Sequence, residues 1–216
     1  MSAPSRSRHA APALRFSRRE LRDLGLAWVA LGLAFTFFLR RDVTRRFLAG
    51  ELPTDWLGTL ALSMVTVGVG FLLHELAHKV VATRLGRVAE FRADYGMLAL
   101  AVGAGLAGFI FAAPGAVVHG GRPITPRENG LVSIAGPATN VLLVGVFVPF
   151  LFAPDLVRVG QLGVSINALL AAFNMIPFGP LDGRKVLAWS KVVFAVSFVF
   201  ALALVAGALV FVGLGF

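Results

Sequence analysis

Residues 56–78 read WLGTLALSMVTVGVGFLLHELAH: a run without charge from Trp56 to Leu73, then His74-Glu75-Leu76-Ala77-His78. On a helix, residues four apart share a face, so His74 and His78 can hold one metal ion together. Glu75 stands where a general base for a metal-activated water belongs. The apolar run is long enough to cross a bilayer, so this polar trio lies at membrane depth. Ionisable groups there are costly and by default functional.

Outward from this stretch, composition gives the same answer. Of 216 residues, 57% are hydrophobic and 14% charged, with mean hydropathy +0.83. This is the composition of an all-α polytopic membrane protein. The 24 glycines provide the small residues on which membrane helices pack closely. The net charge of +9 comes from arginines clustered between apolar runs, a topology signal that argues against nucleic-acid binding. Absence of cysteine excludes a disulfide framework and a thiol nucleophile. Residues 1–23 read as a basic cytosolic tail and residues 24–216 as one membrane domain.

Six apolar runs stand out: Leu24–Leu39, Trp56–Leu73 (helical on to about Thr83), Met97–Val118, Leu131–Ala153, Leu156–Phe178 and Val186–Phe216. If all six cross and the N-terminus is inside, eleven Lys/Arg fall inside and nine outside. If Met97–Val118 enters and leaves on one side, the split becomes fifteen to five. The positive-inside rule favours five crossings. Gly103, Gly105, Gly108, Pro114 and Gly115 also make this run a poor straight helix and an acceptable re-entrant element. Val88–Arg92 is a short strand candidate, and the segment Gly108–Val118 reads partly as strand. The fold expected is five to six transmembrane helices with a small β or re-entrant element after the HELAH helix.

A catalytic zinc keeps three protein ligands and one open position. With five crossings, Leu181-Asp182-Gly183 meets HELAH at one membrane face. Asp182 follows Pro177-Phe178-Gly179-Pro180, which ends a helix and lets the chain turn back. It is the third-ligand candidate, with the N-cap of a final helix as its alternative role. His119 competes by residue type alone, and His9 falls in the tail. Asn140 and Asn174 lie in apolar runs, where an amide can orient a peptide, stabilise an oxyanion, or tie helices together. Asn167 reads as a structural amide.

HELAH, then Ala135-Gly136-Pro137-Ala138-Thr139-Asn140, then Asn174-Met175-Ile176-Pro177-Phe178-Gly179-Pro180-Leu181-Asp182-Gly183 resemble the three ordered signatures of the site-2 protease family of intramembrane zinc metalloproteases. The resemblance covers about residues 56–186, the catalytic core. It implies zinc on His74, His78 and Asp182, Glu75 as catalytic residue, and a membrane-associated β element that helps present substrate. Arg184 departs from the second glycine that many members carry after Asp-Gly. No segment here is long enough for a PDZ or cystathionine-synthase-like domain, so the expectation is a minimal prokaryotic form. The partners expected are a transmembrane protein substrate and the lipid bilayer, with the oligomeric state open. A zinc transporter is the rival class, but the polar groups gather at one leaflet rather than along a path across it.

Overall fold

The computed structural model describes residues 14–51, 56–109, 115–120 and 123–213. The first thirteen residues of the basic tail, including His9, and residues 110–114 of the expected strand lie outside these.

Among the described residues, five helices are long and apolar enough to cross a membrane. Helix α1, Arg18–Leu39, is opened by Ser17, whose hydroxyl accepts the Glu20 N–H. A short amphipathic helix α2, Arg41–Leu48, follows and buries Val43 and Thr44. Helix α3, Trp56–Arg84, carries HELAH and contains a π turn at Met64–Gly68. Helix α5, Pro126–Phe147, starts with a Thr125–Glu128 capping box and Pro126 in its first turn, and runs on as a 3-10 turn to Phe152. Helix α6, Val157–Asn174, ends three residues before Pro177. Helix α7, Asp182–Trp189, is short, and α8, Lys191–Gly207, closes the bundle and passes into a π turn at Ala208–Val212.

The last expected run, Val186–Phe216, is therefore two elements. Ser190 is extended and its hydroxyl accepts the Val193 N–H, so it caps α8 instead of continuing α7. A serine's competing hydrogen bond to nearby backbone outweighs the apolar character on both sides.

Met97–Val118 does not form a sixth span. Helix α4, Tyr95–Ala107, has thirteen residues, about 20 Å at helical rise, short of a bilayer core. It runs parallel to α1, with Tyr95 at the level of Asp23 and Gly105 packed on the Ala34 carbonyl. Arg41 Nη1 donates to the Gly105 and Leu106 carbonyls at 3.0 Å each and so closes the helix end. Gly108 adopts φ 89°, a left-handed conformation that suits glycine and stops the helix. The chain is back at its starting level by Gly115, which pairs with Ala93.

The two strands, β1 Val88–Ala93 and β2 Gly115–Gly120, form an antiparallel pair in which Phe91 faces Val117 and Ala89 faces His119. Gly86, at φ 79°, ends α3 and directs the chain into β1; the Arg87 N–H returns to the Ala82 carbonyl at 3.0 Å. A cluster of Leu24, Ala27, Leu31, Phe71, Phe91 and Leu98 joins α1, α3, β1 and α4. A second cluster, with Leu143, Phe147, Val164 and Ala168, joins α5 to α6.

Candidate metalloprotease site

The HELAH turn lies one and a half turns past the π turn of α3. A π turn admits an extra residue and rotates everything downstream about the helix axis. Trp28 of α1 secures it, donating its indole N–H to the Met64 carbonyl at 2.9 Å while Gly68 packs on the ring. HELAH then faces α5 and α7, and His74, Glu75 and His78 are all buried.

Among the described residues, the group able to hold a metal is His74, His78 and Asp182. The two Nε2 atoms are 3.0 Å apart, and Asp182 Oδ2 lies 3.3 Å from His74 Nε2 and 3.1 Å from His78 Nε2. Ligands about 2.0–2.1 Å from a tetrahedral zinc are separated by about 3.3 Å, so the triangle has the right size.

The surrounding hydrogen bonds give the same result. The Gly163 carbonyl accepts from Asn167 Nδ2 at 2.8 Å, which turns Asn167 Oδ1 toward Asn140. Asn140 Nδ2 donates to that oxygen at 2.9 Å and to the Gly70 carbonyl at 3.2 Å, which leaves Asn140 Oδ1 facing His74 Nδ1 at 2.6 Å. His74 must then donate from Nδ1. His78 Nδ1 lies 2.7 Å from the Val132 carbonyl and must donate as well. Both Nε2 atoms therefore carry lone pairs, and with the carboxylate they place three acceptors within 3.3 Å. A cation resolves that crowding, and second-shell donors of this kind fix metal-ligating imidazoles. The residues fit zinc.

Helix α5 comes closest at Gly136. A Cβ there would lie 2.5 Å from both Nε2 atoms, so only glycine leaves room for the ion's ligands. Pro137 follows inside the helix and has no N–H for the carbonyl of Ser133, a residue that lines the cavity beside the two histidines. That cavity, about 120 Å³, is also lined by Glu75, Asn174, Leu31 and residues 115–117 of β2. Glu75 Oε2 is buried and has no hydrogen-bond partner among the described residues.

Asp182 is the first residue of α7, with Leu181 at the cap position. Burial alone would raise its carboxyl; with a proton on each Nε2 in place of an ion, charge on His78 and hydrogen bonds from His74 and His78 would hold it well below the usual carboxylate range. Lys185 Nζ lies 3.4 Å from its other oxygen. Asn174 lines the cavity and donates to the Leu170 carbonyl at 3.0 Å. Asn140 is fully buried behind His74, where it orients that imidazole. One contributor escaped the sequence reading: Gly136, inside the Ala-Gly-Pro segment already singled out. Asn167, read as structural, is the support on which Asn140 rests.

No protein-family profile matches the chain, and no solved structure matches it significantly. Among curated proteins, the chain is 38% identical over 187 residues to a provisionally named zinc metalloprotease, MJ0611, of Methanocaldococcus jannaschii, covering 84% of this chain and 90% of that one. It is 30% identical to the provisionally named zinc metalloprotease YwhC of Bacillus subtilis, over 57% of this chain and 66% of that one. It is 32% identical to the provisionally named zinc metalloprotease Rip3 of Mycobacterium tuberculosis, over 53% of this chain and 27% of that one. With its buried His74–His78–Asp182 triangle and unpaired Glu75, the chain belongs to this family of zinc metalloproteases.

Proposed function

We propose that the protein is an intramembrane endopeptidase of the site-2 protease type, which cuts a transmembrane segment of another protein near the cytosolic membrane face in regulated intramembrane proteolysis. The observation that carries this reading is a hydrolytic ligand set buried among spans that are long and apolar enough to cross a bilayer. The distribution of positive charge supports a cytosolic N-terminus and a site on the cytosolic side, and the archaeal and bacterial sources of the relatives support a prokaryotic cell membrane.

His74, His78 and Asp182 would hold the zinc, which when bound acts as a Lewis acid and lowers the pKa of water. Glu75 takes the proton of the attacking water and delivers it to the leaving amine. Asn174, on the cavity wall, positions the peptide or its developing oxyanion. A transmembrane helix hides its carbonyls in its own hydrogen bonds, so the substrate unwinds locally before attack. The β2 strand borders the cavity and can take the unwound peptide by main-chain pairing.

The test is hydrolysis of a labelled transmembrane substrate by purified protein in bilayers, with Glu75→Gln as control. Cleavage by wild type and loss in the variant are expected. Equal cleavage by both would remove Glu75 from this role, and no cleavage of any membrane substrate by wild type would defeat the reading.

A further inference from the structure

The edge of β1 that faces away from β2 is occupied by side chains of α1. Glu20 Oε1 accepts the Phe91 N–H at 3.0 Å, and Asp23 Oδ2 accepts the Ala93 N–H at 3.3 Å. The other oxygen of Glu20 pairs with Lys79, the residue after His78, and the other oxygen of Asp23 accepts from Tyr95 Oη at 2.6 Å. Glu20, Asp23 and Lys79 are all buried. Buried carboxylates persist only where they are paired and hydrogen-bonded, as these are.

We infer that Glu20 and Asp23 stand in for a third strand and are positioning residues for the peptide to be cut. Helix positions three apart are separated by about 5–6 Å. Alternate strand residues are about 6.6 Å apart. The longer glutamate and shorter aspartate together span that difference and meet successive outward N–H groups. In an antiparallel pair, opposed residues point their amides either at each other or both away. Since Phe91 and Ala93 point theirs outward to α1, their partners Val117 and Gly115 point theirs outward on the opposite edge. Gly115 and Val117 border the cavity of His74 and Glu75. The sheet thus has one edge closed by carboxylates and, beside the reacting groups, one edge whose Gly115 and Val117 amides meet no partner among the described residues. The Glu20–Lys79 pair fixes the closed edge to the helix that carries the metal ligands.

This inference rests on the proposed endopeptidase reading, and the two fail separately. Asp23→Leu keeps the side chain's size and removes the acceptor. About a tenfold rise in KM for a transmembrane substrate is expected, the equivalent of one hydrogen bond to a charged group, with kcat and zinc content unchanged. Amide hydrogen exchange should quicken at Ala93 and along β2, and Asp23→Asn, which retains an oxygen, should restore KM. An unchanged KM in a zinc-loaded Asp23→Leu protein overturns the inference. If that variant loses zinc, Tyr95→Phe decides, because the Tyr95 side is partly exposed and the change removes only the hydroxyl bonded to Asp23 and Arg22. A raised KM then supports the inference and an unchanged one overturns it. If wild type cleaves nothing, the endopeptidase reading falls, and exchange alone decides the edge: unaltered exchange of β1 and β2 in Asp23→Leu overturns it.

Discussion

Gly136→Ala adds one methyl at the point where α5 meets the two imidazoles. In a helix interior this change ordinarily stabilises by about 1 kcal/mol. Here the new Cβ would stand 2.5 Å from His74 Nε2 and His78 Nε2 and 2.6 Å from His74 Cε1. Ordinary contact begins at 3.4 Å, so something must move by about 0.9 Å. Zinc–ligand distances tolerate about 0.2 Å. Helix α5 is held by its packing on α3 and α6, so the ligand rings give way. Loss of a supporting second-shell group costs about 10–100-fold in metal affinity, and displacement of both rings should exceed that range. Zinc affinity, measured by competition with a chromophoric chelator and metal analysis of detergent-purified protein, should fall by more than about 100-fold. Helical circular dichroism and the melting of metal-free protein should stay at wild-type values. Gly145→Ala on the same helix, with nothing within 4 Å of its Cβ, is the control and should bind zinc normally. A Gly136→Ala protein with wild-type zinc affinity and cleavage would show that the ion does not sit among these three side chains.

Four further outcomes follow from the same geometry. Glu75→Gln should retain zinc while kcat falls by about 10²–10⁴-fold, the range of general acid–base catalysis; parallel loss of zinc would make it a structural residue. Asn140→Leu removes the acceptor for His74 Nδ1 and should weaken zinc binding by about 10–100-fold without unfolding the bundle, as read by chelator competition. Chelation should lower the melting temperature, since it withdraws the ion that reconciles three acceptors, and zinc but not magnesium should restore it given the imidazole ligands. The Asp182 carboxyl is held low, so its favourable contribution is present above the usual carboxylate pKa of about 4 and is lost only as pH falls through the lowered value. Asp182→Asn should therefore weaken zinc binding throughout the neutral range, as read by chelator competition, and unchanged affinity would remove the carboxylate from the ligand set.

Much of this was legible in residue order because membranes narrow the choices. Five crossings followed from where the arginines lie, and the structure has five helices of spanning length and character. Broken helicity in Met97–Val118 was readable from its glycines, with the helix stopping at Gly108. Val88–Arg92 and β1 differ by one residue. The division at Ser190 was hidden, because hydropathy averages over a single capping hydroxyl. The π turn at Met64–Gly68 was hidden too: it depends on Trp28, contributed by another helix. Glu20 and Asp23 fell in the stretch read as a basic tail and Lys79 counted only toward the balance of positive charge; their partners come from tertiary contact.

The chain of amides holds the candidate metal ligands in one geometry. In a low-dielectric bundle, an amide or imidazole without a partner is heavily penalised, so each member of Gly163–Asn167–Asn140–His74 constrains the next. The orientation starts at a backbone carbonyl of α6, which cannot flip, and is passed through α5 to α3. His78 is fixed likewise by the Val132 carbonyl. Three spans thus set the tautomers of two histidines before any ion arrives. Asp182 comes from a turn outside those spans, beyond Pro177 and Pro180, and completes the set only because the chain returns to the level of HELAH. The histidine half of the site is therefore preorganised by the bundle, and the aspartate half depends on the turn between α6 and α7.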